Sequence, residues 1–349
     1  MRRFRILLRF CFAFALFGLP VIVHGGPVNP DISVIGDTRA LWDDRTEEVE
    51  LVFEEVEVGF AGPLNPYASA EIYLAIHGVE GIEVEEAKLQ LDRYLPAGFG
   101  VTAGRALLDF GQLNQVHPHA YPFVDRPLMH TAFFGDDGVL DVIGRLDWIA
   151  PLQPVTLRAS AGAVRGDLFL GGHHHGEGEH AHEKRADEED PEEEAAPTLG
   201  ASGRVELFAE PSRNVSFLVG GSVLHGEHDP HEEAKATWGT VDGKVRFDLG
   251  PQRNLILNAE AVLGSLDAAE EAPASDPSGW FAAADLRLDR RWNFGAFAES
   301  ATERLEDEHR TNRFGGFVGM ALMEETTLFR LVARSTDPEE GERSTEILL

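Results

Sequence analysis

Imidazoles and carboxylates are the side chains of this sequence best suited to chemistry, and they cluster. Residues 171–194 hold His173, His174, His175, His180 and His182 among ten acidic and two basic residues. A second group is His225, His228 and His231. Neutral imidazole ligates Zn, Cu, Ni and Fe, and carboxylates add charge and oxygen ligands. His180-x-His182 and His228-x-x-His231 each offer two ligands, and a loop can close others around one ion. Affinity is expected to be moderate, because a mobile loop loses entropy when it orders. The competing reading is an acidic surface that is merely solvated. No resident cofactor is required; Zn²⁺ or another divalent transition metal is the ligand implied.

Catalytic patterns are missing. His182-Glu183 and His231-Glu232 each begin a zinc-protease motif, but Ala186 and Lys235 stand where the second histidine belongs. There is no nucleophile elbow and no phosphate-binding glycine loop. The chain is expected not to be an enzyme. Its 60 Asp+Glu against 30 Lys+Arg give a net charge of −30, which excludes a nucleic-acid binder. The single cysteine, Cys11, excludes disulfides and cysteine-based zinc sites.

The elements that must carry these residues are strands. Residues 1–25 have the layout of a secretory signal peptide: Arg2, Arg3 and Arg5, then an apolar stretch broken by Pro20. Nothing after them is long and apolar enough for a membrane helix. From Ile32 onward, segments of about ten residues alternate apolar and polar, as in 155–163, 199–207 and 241–249. Their connections decide the architecture. Links of a few residues, such as 151–154, 210–213, 250–253 and 289–291, alternate with long polar ones, such as 167–197, 225–235, 267–278 and 302–313. Tight turns on one side and long loops on the other predict an all-β transmembrane antiparallel barrel of about 16 strands over residues 26–349. All 13 histidines after residue 25 fall in or beside connections on the long-loop side. The five tryptophans lie near strand ends, as rings at headgroup depth would. The last strand has only six residues before Leu349, so it reads as truncated. A soluble β-sandwich would also alternate, and stands as the rival fold.

The stretch 27–37 (PVNPDISVIGD) and the block 104–138 resemble a bacterial family of plug-less outer-membrane proteins. That family is similar to phosphate-selective porins, and some members are described as zinc-regulated outer-membrane receptors. The motif runs Asp109-Phe110-Gly111, Leu113-Asn114, His117-Pro118-His119 and Pro122-Phe123-Val124-Asp125-Arg126-Pro127. The resemblance implies that 109–138 folds into the lumen as a constriction loop, with His117, His119, Asp125 and Arg126 at the pore constriction. Two roles stay open for each pair: chemistry at the constriction or hydrogen bonding that shapes the loop for the histidines, and an ion pair or a permeant-ion filter for Asp125 and Arg126. The chain departs from the phosphate-selective pattern in its acidity and in lacking a dense basic lumen ladder.

The expected function is a porin-like channel in the bacterial outer membrane for small hydrophilic solutes. Its His/acid-rich outer loops would concentrate a divalent, Zn-like metal at the mouth. The alternative is a surface metal-binding protein anchored by a non-conducting barrel. Expected partners are outer-membrane lipid, small solutes or metal ions, and a homotrimeric assembly.

Overall fold

The computed structural model describes residues 29–77, 81–91, 95–170, 198–229, 231–269, 273–305, 309–322 and 327–349. Residues 1–25, expected to be a signal peptide, and the insertion 171–194 with His173, His174, His175, His180 and His182 lie outside the described residues.

Sixteen strands follow one another in chain order. They begin with β1 (Asp31–Asp43), β2 (Val49–Asn65), β3 (Ala68–Ile76), β4 (Ile82–Leu91), β5 (Phe99–Leu107) and β6 (Leu140–Pro151). The middle of the sheet is β7 (Val155–Val164), β8 (Gly200–Ser212), β9 (Val215–Asp229), β10 (Ala234–Gly250) and β11 (Arg253–Leu266). The last five are β12 (Ser278–Arg287), β13 (Trp292–Thr302), β14 (Arg310–Leu322), β15 (Thr327–Pro338) and β16 (Ser344–Leu348). Each pairs antiparallel with its neighbours in sequence, and β1 pairs with β16, so the sheet closes. Closure leaves no edge of unpaired backbone groups, the condition for a sheet in lipid. A single closed sheet also rules out the two-sheet sandwich.

Side-chain alternation follows the wall. Val241 is 68% exposed on the outside, whereas its neighbour Asp242 is 3% exposed and faces in. An apolar outer face and a polar inner one, on a closed 16-stranded barrel, place the chain in a bacterial outer membrane. The seam is short: Leu348, Ile347 and Glu346 of β16 stand opposite Leu41, Trp42 and Asp43 of β1. β16, five residues long, pairs with β15 on one side and with β1 on the other.

Short turns are set by side chains that mimic backbone. Asn65 Oδ1 accepts the N–H groups of Tyr67 and Ala68, and Asp289 Oδ1 those of Arg291 and Trp292. Two expectations need correction. The connection expected over 225–235 is only 230–233, so His225 and His228 sit on β9, and His225 stands opposite Ala201 and Thr237. Trp238 is no interfacial ring: it shares the inward parity of Asp242 and is fully buried in the lumen. Trp280 and Trp292 are about two-fifths exposed, as expected of interfacial rings.

Candidate functional site: an inward loop between an acidic and a basic wall

Residues 108–139, between β5 and β6, touch inward side chains of β1, β2, β4, β7, β8, β9, β11, β13 and β15. Only a segment inside the barrel can reach strands all round its wall.

The motif residues dock it. Asp109 accepts from Ser160 at 2.8 Å and lies 3.2 Å from Arg158 and 3.6 Å from Arg204. Phe110 enters the apolar core, and Gly111 turns with φ +69° against Glu260, where any Cβ would lie 2.1 Å from Oε1. Glu260 then accepts the N–H groups of Gln112 and Leu113 at 2.7 and 3.0 Å, and lies 2.9 Å from His130 Nε2. Asn114 clips the loop base, bonding Leu108 and Val139. Helix α1 (Leu128–Phe134) presses Met129, Phe133 and Phe134 onto the far wall, where both phenyl rings pack on Trp238. Glu299 caps it by accepting Leu128 N–H at 2.7 Å.

The tip is held by arginines. Asp125 bonds Arg39 of β1 at 2.7 Å and Arg334 of β15, and Arg334 also bonds Glu346 of β16. One loop carboxylate therefore spans the strands on either side of the short seam strand. The preceding residue, Val124, is held at φ +83°, a strained conformation for a β-branched residue. Arg330 donates to the His119 carbonyl at 2.6 Å. The ion pair weighed between Asp125 and Arg126 does not form: Arg126 turns back into the loop and donates to the Asp136 carbonyl at 2.9 Å. Burial opposes the charge on Asp125, but Arg334 and Arg39 outweigh it and hold the carboxyl below its usual range.

His117 and His119 face the opposite wall. Two β-bulges build that wall, one at Glu54 and one at Glu85, each an extra residue between register pairs. A bulge lets two neighbours turn to one side of a sheet. The result is an inward patch of Glu54, Glu55, Glu57, Glu85 and Glu86. His117 Nε2 lies 3.0 Å from Glu86 Oε1, and its Nδ1 lies 2.9 Å from Glu57 and 3.7 Å from Glu85. His119 Nδ1 is 3.5 Å from both Glu55 and Glu57. His77, at the end of β3, donates from Nδ1 to the Glu54 carbonyl. A cavity of about 260 Å³ remains between loop and wall here, lined by His77, Glu55, Glu85, Glu86 and His117. Burial disfavours a charged His117, yet the carboxylates of Glu57, Glu86 and Glu85 raise its pKa to about 9.

The lumen is thus mixed in charge, as the sequence suggested, but the charges are sorted. Carboxylates predominate on β2 and β4, with Lys88 beside Glu86, while β1, β14 and β15 carry Arg39, Arg313, Arg330 and Arg334, with Asp37, Glu299 and Glu346 as partners of Arg39, Arg313 and Arg334. The four residues expected at the constriction all belong to the inward loop. His225, His228 and His231 stay at the long-loop rim: His225 Nδ1 is 2.8 Å from Thr237, and His228 Nε2 donates to the Asp267 carbonyl. The glutamate wall was missed. Its signal is in the sequence, where Glu54-Glu55 and Glu85-Glu86 interrupt otherwise alternating strands.

No family model matches the chain. An uncharacterized protein of Aquifex aeolicus is 27% identical over 259 residues, covering 68% of this chain; the chain spans about half, 52%, of that relative's length. Among solved structures, the chain is similar to an anion-selective porin from Comamonas acidovorans, at TM-score 0.59 and 11% identity over 91% of this chain and 98% of that one. It is also similar to OmpT, an outer-membrane protein of Vibrio cholerae, described in a trimer form, at TM-score 0.55 and 10% identity over 92% and 98%. The outer-membrane channel DcaP of Acinetobacter baumannii matches at TM-score 0.52 and 10% identity over 93% and 97%. At these identities the likeness is one of fold: a porin barrel.

Proposed function

We propose that this chain is a porin-like channel for small hydrophilic solutes, with residues 109–138 as its constriction. The observation that carries this reading is a polar-faced loop held inside a closed barrel between an acidic wall and a basic wall. Fixed charges facing a narrowed aqueous path select ions by sign and orient dipolar solutes. The kinship with phosphate-selective porins and zinc-regulated receptors belongs to this reading, because the motif that suggested it is the set of residues that docks the loop. The His/acid insertion 171–194 and the rim histidines His225, His228 and His231 would raise the divalent-cation concentration at the mouth. No catalytic chemistry is assigned, and a homotrimer is the assembly this reading takes.

The test is planar-bilayer recording of the purified protein under a salt gradient. Stable unitary currents with a reversal potential on the cation side are expected. A folded, heat-modifiable barrel that binds Zn²⁺ but never conducts would replace this reading with the anchored metal-binding protein.

A further inference from the structure

We infer that the constriction itself holds two adjoining sites for a divalent transition cation: Glu57, His117 and His119 in one, Glu55, His77 and Glu85 in the other. The ligand atoms of each trio already lie within 4.8 Å of one another. Metal–ligand bonds of about 2.1 Å in a tetrahedron put ligand atoms about 3.4 Å apart. Glu57 Oε2 stands 2.9 Å from His117 Nδ1 and 3.5 Å from His119 Nδ1, either side of that spacing. The inference rests on the channel reading only for the ion's route; binding stands without it.

Two features separate this cluster from an ordinary acidic patch. The first is the set of groups behind the ligands. A metal-bound imidazole usually donates its other ring N–H to a carboxylate or carbonyl, which orients the ring. With Nε2–H given to Glu86, His117 keeps its ring orientation when its Nδ1 proton, now facing Glu57, is displaced to water by a bound cation; with Nδ1–H given to the Glu54 carbonyl, His77 has Nε2 left for a ligand. Glu86 is fixed in turn by Lys88 and by the N–H of Leu107. The second is unmet bonding. Buried Glu57 Oε2, Glu85 Oε2 and His119 Nδ1 have no partner in hydrogen-bond geometry, and the Glu57 side chain is only 2% exposed. Such orphans are costly unless another ligand satisfies them. Imidazole with carboxylate suits Zn²⁺ and its neighbours. Three protein ligands also leave a coordination position open, so the ion can exchange.

The test uses the full mature chain, with Zn²⁺ alone as the probe. Equilibrium dialysis should show two fewer Zn²⁺ per chain in the His77→Ala/His117→Ala/His119→Ala variant than in the wild type. Outer-loop sites would remain in both. Should that variant lose its heat-modifiable barrel, Glu86→Gln is decisive: it keeps every ligand and should weaken luminal Zn²⁺ by about 10–100-fold. In bilayers, Zn²⁺ bound inside the field should block wild-type current in a voltage-dependent manner; block at the outer loops would be voltage-independent. Unchanged stoichiometry in the folded triple variant, or unchanged affinity in Glu86→Gln, overturns the inference even if the channel conducts. Absence of conductance with the stoichiometry loss intact would instead sink the channel reading and leave these sites standing.

Discussion

Glu260 and Glu57 are both inward-facing carboxylates, each about 2% exposed, on strands at opposite sides of the lumen. Their surroundings differ. Glu260 serves Gln112 N–H, Leu113 N–H and His130, so that both of its oxygens are engaged. Glu57 meets only imidazoles, and its Oε2 lacks an aligned donor. The loop between them is therefore docked by one carboxylate whose bonds are complete and faces another whose bonds are not. A buried polar group with its bonds complete stabilises the fold, whereas one left incomplete stores a demand that a ligand can meet.

The comparison breaks first at Glu260. Glu260→Ala strips an acceptor from three buried donors at once, a change expected to cost about 3–5 kcal/mol of loop docking. The barrel should survive, since no strand pairing depends on Glu260. Limited proteolysis in detergent should then cut within 109–138 of the folded variant and spare the wild type. Equal protection of both would mean that the loop is held by its apolar face alone.

A smaller effect is expected from Asp125→Asn, which weakens the bonds to Arg39 and Arg334 without emptying the site. A loss of about 1–3 kcal/mol fits a charge-assisted bond made neutral. Because Asp125 spans the seam, the variant should migrate as unfolded chain at a lower gel-shift temperature than wild type. An unchanged temperature would confine the role of Asp125 to the loop.

The Glu57 side should answer differently. Glu55→Gln with Glu57→Gln removes negative charge and weakens the ion pairs to His117 and His119, but leaves the docking bonds of Asp109, Glu260 and Asp125 in place. Protease resistance should be kept, while the reversal potential moves toward anions, because the arginine wall would then dominate the field. A reversal potential that does not move would show that permeant ions do not pass this wall.

Much of this fold is legible in the sequence. Alternation in 155–163 and 241–249 and the succession of short and long connections from 151 onward led to the barrel, whereas the inward course of 109–138 was implied only by the resemblance of its motif to plug-less outer-membrane proteins. What escaped was set by geometry across the lumen. Trp238 looks like a rim aromatic until its parity with Asp242 is counted through β10. Asp125 and Arg126 look like a pair because they are adjacent, yet successive side chains on extended backbone diverge, so each found a partner elsewhere. The glutamate doublets at 54–55 and 85–86 were visible, but a bulge changes which side a residue faces only by an extra residue that alternation counting averages away.

The smallest expected effect is the response to acid, and it sets the sign of the Asp125 pin. Arg334 and Arg39 hold this carboxyl below its usual range, and an unperturbed aspartate titrates near 3.9. A group whose folded pKa is depressed contributes stability above its unfolded pKa and loses that stability as pH falls through the folded one. The contribution of Asp125 to docking of the tip should therefore be constant from neutral pH to about pH 5, and should weaken only below about pH 4. His117 does not offset this, since its pKa of about 9 keeps it charged throughout that range. Protease cleavage near 120–127, with an acid-active enzyme on the detergent-folded barrel, should rise between about pH 4 and pH 2.5. Asp125→Asn should already be cleaved at pH 5 and gain little on further acidification. Parallel acid profiles for wild type and Asp125→Asn would assign the loosening to the glutamate wall rather than to the seam.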